Sequence, residues 1–422
     1  MDKQFKKISV IGLGYIGLPT AAMFASRKIE VVGVDVNEAA VNTINRGEIH
    51  IVEPDLDMVV HAAVSEGYLR ATTAAEPAEA FLIAVPTPFK GENHEPDLSY
   101  IEAAANAIAP FLERGNLVIL ESTSPVGATE TMASWLADAR PDLSFPQNAG
   151  EHSDIRVAHC PERVLPGKVM QELITNDRVI GGMTARCSEE AARLYRTFVS
   201  GNCVIASSTR VAEMAKLTEN SFRDVNIAFA NEISLVCDRL EVNVWELIEL
   251  ANRHPRVNIL RPGAGVGGHC IAVDPWFIVS SASEDARLIR TARAVNDSKP
   301  LWVIEKIQAA IGGFLSVNID KTANDIVIAF YGIAFKPDID DLRESPALNI
   351  ARDWTNRHIG RVLVIEPNIN LLPSDLERAE LVTTEVAVAQ ADVHVFLVAH
   401  TEFNSIRHRP NYSVDPVGLF TS

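Results

Sequence analysis

Residues 8–22 read "ISVIGLGYIGLPTAA", a run of β-branched residues that leads into three glycines spaced G-x-G-x-x-G. The apolar run predicts a buried strand, and the residues after the third glycine predict a helix. In this setting Gly12, Gly14 and Gly17 allow a tight turn and close approach of a pyrophosphate, whose charge the helix N-terminus favours. The stretch therefore predicts a dinucleotide-binding Rossmann unit, in which Tyr15 and Ile16 lie on the turn and line the cofactor.

The next predicted strand, "EVVGVD", ends in an acidic residue, Asp35. A carboxylate at this position binds the ribose hydroxyls of NAD and repels the 2′-phosphate of NADP. We therefore expect NAD to be the cofactor.

The runs "AFLIAVPTP" and "NLVILESTSP" continue an alternation of strand and helix patterns, which predicts a doubly wound parallel sheet. Thr87, Thr123 and Thr129 follow these strands, at the edge where open α/β sheets bind their ligands. We expect Thr87 and Thr129 near the cofactor. Capping of turns is the alternative explanation for all three threonines.

From about Ser207 to Leu240 the chain lacks Gly and Pro and predicts one long helix with Ser/Thr caps. A second series of strand-like runs follows, "DIVIAFYGIAFK", "RVLVIEP" and "DVHVFLVAH". We therefore expect an α/β fold of two Rossmann-like, doubly wound domains joined by a long central helix and helical connector. The expected boundaries are 1–206 for the cofactor domain, 207–300 for the helical domain and 301–422 for the second Rossmann-like domain.

The composition of the 422 residues is that of a globular protein, with 47% hydrophobic residues and a net charge of −17. A diffuse acidic excess argues against binding to nucleic acid or to an anionic membrane. Five cysteines without a C-x-x-C pair suit a reducing compartment, and no run of about 18 apolar residues appears. We expect a cytoplasmic protein.

A second glycine-rich stretch, "GAGVGGHCIAVDP" at residues 263–275, leads into Cys270. This cysteine could be a buried apolar residue, a zinc ligand or a nucleophile. Zinc is disfavoured because the adjacent His269 and Cys270 would rarely both ligate, and no second Cys/His pair is evident, so no metal site is expected. Lys216 and Asn220 share one face of the predicted long helix with Glu213 and Arg223 or Asp224, a pattern also typical of a solvated stripe.

Five segments occur together in this chain: "HCPERVLPG", "KLTENSFRDVNIAFANE", "NRHPRVNIL", "GVGGHCIAVDPWF" and "AFKPDIDDLRESPA". On these motifs the sequence resembles, over nearly its whole length, the nucleotide-sugar 6-dehydrogenase family, which includes UDP-glucose and GDP-mannose dehydrogenases. It is most similar to the branch that acts on UDP-N-acetylhexosamines. The resemblance implies that the C6 alcohol of UDP-N-acetyl-D-mannosamine is oxidised to a carboxylate with two NAD⁺, for surface polysaccharide synthesis. UDP-N-acetylglucosamine, UDP-glucose and GDP-mannose are alternative substrates.

The resemblance also implies roles for individual residues. Cys270 would form a thiohemiacetal and then a thioester with the sugar. The implied catalytic residues are Cys270, Lys216, Asn220, Asp274, Glu162 and Thr123. The implied substrate contacts are Arg163, Val164, Lys216, Asn220, Arg223, His254, Arg256, Gly267, Phe335 and Lys336. Arg343 would reach the NAD diphosphate, and Arg256 would reach the site of a neighbouring subunit, which implies a homodimer.

Two positions depart from family patterns. Val417, in "VDPVG", stands where the family often has a basic residue, which places a C-terminal nucleotide contact in doubt. Val273 stands where UDP-glucose dehydrogenases carry Lys, which favours the N-acetylhexosamine branch. His269 has no assigned role. A β-hydroxyacid dehydrogenase, which needs no thiol, and a non-catalytic nucleotide-sugar sensor are the alternatives outside this family.

Overall fold

The computed structural model describes residues 5–91, 94–165, 167–268 and 270–420. The chain divides into two compact units. The N-terminal unit comprises the residues up to Glu219 together with Trp276–Ala282, and the C-terminal unit comprises Asn220–Pro275 and the chain from Ser283 onward.

The N-terminal unit contains an eight-stranded sheet and a short hairpin. Its strands are β1 Lys7–Ile11, β2 Glu30–Val34, β3 Leu69–Thr72, β4 Ala80–Ile83, β5 Phe89–Lys90, β6 Glu95–Pro96, β7 Leu117–Leu120, β8 Arg156–His159, β9 Arg178–Gly182 and β10 Cys203–Ile205. The strand order is β10-β9-β8-β7-β4-β1-β2-β3, while β5 and β6 form the hairpin. Neighbouring strands of the large sheet are parallel except for the β8–β9 pair, which is antiparallel.

Helices cover the sheet of this unit and bury its apolar strands. They are α1 Gly17–Ser26, α2 Glu38–Asn45, α3 Leu56–Ser65, α4 Ser99–Ile108, α5 Ala128–Ala139, α6 Pro146–Ala149, α7 Val169–Thr175 and α8 Ala185–Tyr195. The first strand and helix meet at the glycine turn, where a Cβ on Gly17 would lie 1.8 Å from the Gly12 carbonyl oxygen. Only glycine tolerates that approach, so the turn of the predicted Rossmann motif is confirmed.

The C-terminal unit contains a five-stranded parallel sheet in the order β13-β12-β11-β14-β15. Its strands are β11 Ile328–Tyr331, β12 Val362–Ile365, β13 Ala379–Leu381, β14 Val393–Phe396 and β15 Ser413–Val414. The remaining helices are α9 Thr209–Arg239, α10 Val244–Ala251, α11 Asp274–Ser281, α12 Arg287–Val317, α13 Pro346–Arg357 and α14 Thr384–Gln390. Residues 209–219 of α9 and residues 276–281 of α11 belong to the N-terminal unit. The predicted α/β fold with two Rossmann-like sheets and a long helix is therefore confirmed.

A buried polar network fixes α12 against α9 within the C-terminal unit. Arg293 and Asp224 form an ion pair at 2.7 Å and are 2% and 0% exposed at their side chains. Asn296 donates to the same carboxylate at 2.7 Å and accepts from Asn231, whose amide oxygen in turn accepts the Gly263 N–H. Because buried polar groups need partners, this network ties the start of the glycine-rich segment to both long helices.

No helix among the described residues is long and apolar enough to cross a membrane.

Candidate active site

The carboxylate of Asp35 lies against the glycine turn. Asp35 Oδ2 accepts the Leu13 N–H at 2.8 Å, and Oδ1 accepts the Asn37 N–H at 2.9 Å. Gly14 is exposed, and a Cβ built there would meet no described atom within 4 Å. A tight turn, open space above it and an acid after β2 fit the diphosphate and ribose of NAD.

His50 is a residue at this site that sequence reasoning missed. Its imidazole interacts with Asp35 and with the backbone of Leu13, while desolvation lowers the pKa of His50. The sequence carries no signal for this placement because the histidine reaches the turn from the loop between α2 and α3.

Two of the predicted threonines lie in the loops after neighbouring strands, and the third lies in α5. The Thr87 hydroxyl donates to the carbonyl of Thr123, which joins the loops after β4 and β7. Thr129 is fully buried in the first turn of α5, where its hydroxyl donates to Glu213 at 2.6 Å. Glu213 also accepts the N–H groups of Gly127 and Thr129, so this α9 carboxylate caps α5. The predicted cofactor roles of Thr87 and Thr129 stay predictions.

Glu162 lies in the loop after β8 and is 6% exposed. Its Oε1 accepts the Arg163 N–H at 2.6 Å, and its Oε2 pairs with Arg178 Nη1 at 2.5 Å. The guanidinium of Arg163 pairs with Glu219 of α9 at 2.6 Å. The Glu162 carboxylate is therefore fixed in one orientation by Arg178, a residue that the sequence did not single out.

A second buried carboxylate, Glu53 in the loop between α2 and α3, holds the rest of the Glu162 loop. The carboxylate of Glu53 is 4% exposed and accepts the N–H groups of Gly167 and Val169 at 2.9 and 2.7 Å. Val164 packs against the core of this unit. Glu53 thus positions the segment that carries the predicted substrate contacts Arg163 and Val164.

Three of the predicted catalytic residues are linked within the C-terminal unit. The Asn220 side-chain amide donates to Asp274, which is 3% exposed at the start of α11. The Asp274 N–H donates to the Cys270 carbonyl at 2.8 Å. The helix α9 and the cysteine turn are therefore joined by one chain of hydrogen bonds. Lys216, in the N-terminal unit, is half-buried and Arg223 is exposed.

The exposure of Cys270 distinguishes it from the other cysteines. Cys160, Cys187 and Cys237 are buried and Cys203 is half-buried, whereas Cys270 is exposed. Burial raises the pKa of Cys160 to about 12, which makes that thiol unreactive. An exposed thiol on a glycine-rich turn is accessible to a substrate. His269 lies outside the described residues.

The glycine-rich segment packs against the loop that begins at Phe335. A Cβ on Gly267 would lie 2.3 Å from the Glu344 carbonyl oxygen, and one on Gly268 would lie 3.0 Å from the Phe335 ring. The glycines therefore permit close packing of two protein segments, a use that the sequence did not indicate. On the Phe335 loop, Lys336 is half-buried, and Arg343 forms a two-pronged ion pair with Asp341 at 2.8 and 2.6 Å.

Two further predicted contacts, His254 and Arg256, are exposed after α10, where the Arg256 N–H donates to His254 Nδ1 at 3.4 Å. Val417 packs in a small apolar cluster of the C-terminal unit. Beside it, Arg261 donates to the Gly418 carbonyl at 3.4 Å. The part of the chain that the structure describes contains no group of three or more His, Cys, Asp or Glu side chains able to hold a metal ion.

Comparison with protein families matches three segments of the chain, in order. Residues 6–199 match the NAD binding domain of the UDP-glucose/GDP-mannose dehydrogenase family, residues 210–298 its central domain, and residues 329–419 its UDP binding domain.

Curated relatives and solved structures agree with these matches. The chain is 66% identical over 421 residues to a UDP-N-acetyl-D-mannosamine dehydrogenase of Yersinia pestis, covering 99% of this chain and 100% of the relative. It is 61% identical over 425 residues to an NDP-N-acetyl-D-galactosaminuronic acid dehydrogenase of Ralstonia nicotianae, covering 100% and 98%. The structure of a UDP-D-ManNAc dehydrogenase from Pyrococcus horikoshii is similar with a TM-score of 0.84 and 41% identity, covering 95% and 91% of the two chains.

Proposed function

The chain belongs to the UDP-glucose/GDP-mannose dehydrogenase family and is an NAD-dependent UDP-sugar dehydrogenase, and we propose that its substrate is UDP-N-acetyl-D-mannosamine. The product is UDP-N-acetyl-D-mannosaminuronate, formed by a four-electron oxidation at C6. The observation that carries this proposal is the 66% identity to a full-length relative of that activity. An exposed Cys270, hydrogen-bonded through its carbonyl to Asp274, supports it.

NAD⁺, when bound, accepts the hydride that leaves C6. The glycine turn, with Tyr15 and Ile16, holds the diphosphate, and Asp35 binds the adenosine ribose. We assign Thr87, Thr129 and Arg343 to the same cofactor. Two NAD⁺ are used in succession for each sugar because an alcohol loses two hydrides on becoming a carboxylate.

The chain supplies the acid–base groups and the nucleophile. In the first oxidation Lys216 takes the proton of the C6 hydroxyl, and Asn220 donates a hydrogen bond to its oxygen. The Cys270 thiolate then adds to the aldehyde carbon, and the resulting alkoxide takes the proton back from Lys216 to form a thiohemiacetal. Asp274 positions Asn220, since the two side chains share a hydrogen bond. In the second oxidation Lys216 takes the thiohemiacetal hydroxyl proton, and loss of the second hydride leaves a thioester.

Hydrolysis completes the reaction. Thr123 orients a water molecule, and Glu162 accepts its proton as the water oxygen adds to the thioester carbon. The carbon–sulfur bond breaks, the sugar leaves as a carboxylate and Cys270 is regenerated as a thiolate. A covalent intermediate keeps the half-oxidised sugar on the enzyme between the two oxidations.

Most of the residues assigned to the nucleotide sugar are cationic or aromatic, because its diphosphate needs positive charge and its base needs a flat apolar contact. The assigned residues are Arg163, Val164, Lys216, Asn220, Arg223, His254, Arg256, Gly267, Phe335 and Lys336. We assign residues 1–206 to NAD binding, 207–300 to catalysis and dimer contacts, and 301–422 to UDP-sugar binding.

A homodimer is part of the proposal. On α9, Phe222, Phe229 and Val236 recur at heptad spacing and are 71%, 52% and 44% exposed. Such an apolar stripe favours packing against a second copy of the chain. In that dimer Arg256 reaches the neighbouring subunit's substrate. We place the enzyme in the cytoplasm, in the synthesis of surface polysaccharide.

The substrate assignment is tested by NADH formation across a panel of nucleotide sugars. The panel contains UDP-N-acetylmannosamine, UDP-N-acetylglucosamine, UDP-N-acetylgalactosamine, UDP-glucose and GDP-mannose. The galactosamine sugar is included because of the 61% identical relative. We expect the highest kcat/KM with UDP-N-acetylmannosamine. Preference for any of the other four sugars would refute the assignment, and no NADH with any sugar would refute the activity.

A further inference from the structure

A buried cluster of ionisable groups lies behind Glu162 in the N-terminal unit. Its members are Glu121, at the end of β7; Cys160 and Glu162, after β8; Arg178, in β9; and Tyr195, in α8. Glu121 is 1% exposed, Arg178 3% and Tyr195 0%. The proposed reaction uses only Glu162 of this set.

Arg178 pairs with one of the two carboxylates and lies against the ring of the tyrosine that donates to the other. It pairs with Glu162 at 2.5 Å, and its guanidinium lies 5.1 Å from the centroid of the Tyr195 ring. The Tyr195 hydroxyl donates to Glu121 Oε1 at 2.6 Å. The cluster therefore holds one cation, Arg178, and two buried carboxylates, and among the described residues only Glu162 pairs with Arg178 directly.

The second oxygen of Glu121 and the second nitrogen of Arg178 are buried. Neither Glu121 Oε2 nor Arg178 Nη2 has a hydrogen-bond partner among the described residues. A buried acceptor and a buried donor that both lack a partner are the kind of groups that retain a buried water.

Burial and the neighbouring charges of the cluster determine the pKa of Glu121. Burial raises the pKa of Glu121 to about 7, an effect that Arg178 opposes and the negative charge of Glu162 reinforces. An ionised Glu121 places a second negative charge in the cluster that contains the Arg178–Glu162 ion pair. The other ionisable groups facing Glu121 are Cys160 and Tyr195, whose pKa values burial raises far enough to keep both neutral.

We propose that Glu121 is a positioning residue that acts through Arg178 to set the base strength of Glu162 in thioester hydrolysis. When Glu121 is neutral, the charge of Arg178 is directed to Glu162 alone and weakens it as a base. When Glu121 is ionised, Arg178 is shared between two carboxylates, and Glu162 accepts a proton from water more readily. This inference rests on the proposed function, because it concerns the hydrolysis step of that reaction.

The test follows hydrolysis directly in the full-length enzyme. Decay of the acyl group on Cys270 is measured by rapid-quench mass spectrometry from about pH 6 to about pH 9. Glu121→Gln retains the shape and an acceptor for Tyr195 but stays neutral. We expect hydrolysis equal to the wild type near pH 6 and about threefold to tenfold slower near pH 8.5, with an unchanged KM for the sugar.

Two further variants separate this effect from damage to the fold. Tyr195→Phe removes the donor that favours the charged form of Glu121, so the inflection of the wild-type profile shifts to higher pH. Asp154→Asn neutralises a carboxylate of the N-terminal unit outside the cluster, which accepts from Ser144, and leaves the shape of the profile unchanged. Should Glu121→Gln not fold, the Tyr195→Phe shift alone decides.

Different results would overturn the role of Glu121 and the thioester mechanism. Superimposable profiles for the wild type, Glu121→Gln and Tyr195→Phe would overturn the role of Glu121 while the proposed function stands. Absence of any acyl adduct on Cys270 in an active wild-type enzyme would instead overturn the thioester mechanism.

Discussion

Asn220 donates a hydrogen bond from its side-chain amide to the carboxylate of Asp274, 54 positions further along the sequence. The Asp274 N–H in turn donates to the carbonyl of Cys270. A residue of the long helix is thereby held in register with the turn that carries the proposed nucleophile. Asp274 therefore fixes the orientation of the Asn220 side-chain amide.

Asn220→Ala removes the amide that contacts Asp274 and leaves a buried carboxylate short of a donor. We expect kcat to fall about 10- to 100-fold, with a smaller change in KM. The reason is the loss of the hydrogen bond that we propose between Asn220 and the C6 oxygen, which would stabilise the developing charge. Steady-state NADH formation measures both constants. Asn226→Ala is the matched control on the same helix, since Asn226 donates only to the Phe222 carbonyl of its own helix in the described contacts. Equal losses in the two variants would refute a special role for Asn220.

Asp35→Asn tests cofactor selection. An asparagine can still accept the Leu13 N–H but no longer repels a 2′-phosphate. We expect kcat/KM for NAD⁺ to fall about tenfold and that for NADP⁺ to rise, as measured with each cofactor at saturating sugar. Glu38→Gln, at the first position of α2, is the control for loss of one charge nearby. An unchanged ratio of the two cofactors would contradict the role of Asp35.

Lys299 predicts a pH-dependent stability. Its side chain is fully buried in α12, donates to Ser234 and lies 3.8 Å from the centroid of the Trp302 ring. Burial lowers the pKa of Lys299 from 10.5 to about 7. The unfolded chain therefore binds more protons between about pH 7 and 10.5, so the cost of burying this lysine is full below that window and disappears above it.

Lys299→Met removes that cost. We expect the variant to exceed the wild type in free energy of unfolding by about 1–3 kcal/mol near pH 6, with the difference shrinking as the pH rises toward 10. Urea unfolding of both proteins at each pH measures it. Lys306→Met is the control, because Lys306 is a partly exposed neighbour paired with Asp238. A difference that does not vary with pH would show that Lys299 is not the titrating group.

Local patterns predicted the elements that build the fold. The glycine turn before α1, the strands β1, β2, β4 and β7, and the helix α9 all have periodicities that one segment displays by itself. The reversed direction of β9 against β8 was not predicted, because a short apolar run looks the same in either direction. Strand direction depends on where the connection leads.

The residues that position the site were largely missed. Glu213 caps α5 by accepting from Thr129, 84 positions earlier, and Glu53 holds a loop more than a hundred residues later. Arg178 lies in β9 and Glu121 directly follows β7, and the folded sheet brings Arg178 into an ion pair with Glu162. Such roles come from tertiary contacts between single side chains, which neither spacing nor composition encodes. The exposure of Cys270 likewise became visible only in the fold.

The most direct test of the central claim is the amount of NADH released when a limiting, known quantity of UDP-N-acetyl-D-mannosamine is consumed completely. Cys270→Ala measured in parallel shows whether the thiol is required. The account predicts two NADH and one uronate for each sugar in the wild type, and no uronate from Cys270→Ala. One NADH for each sugar, or uronate formed at the wild-type rate without Cys270, would contradict it.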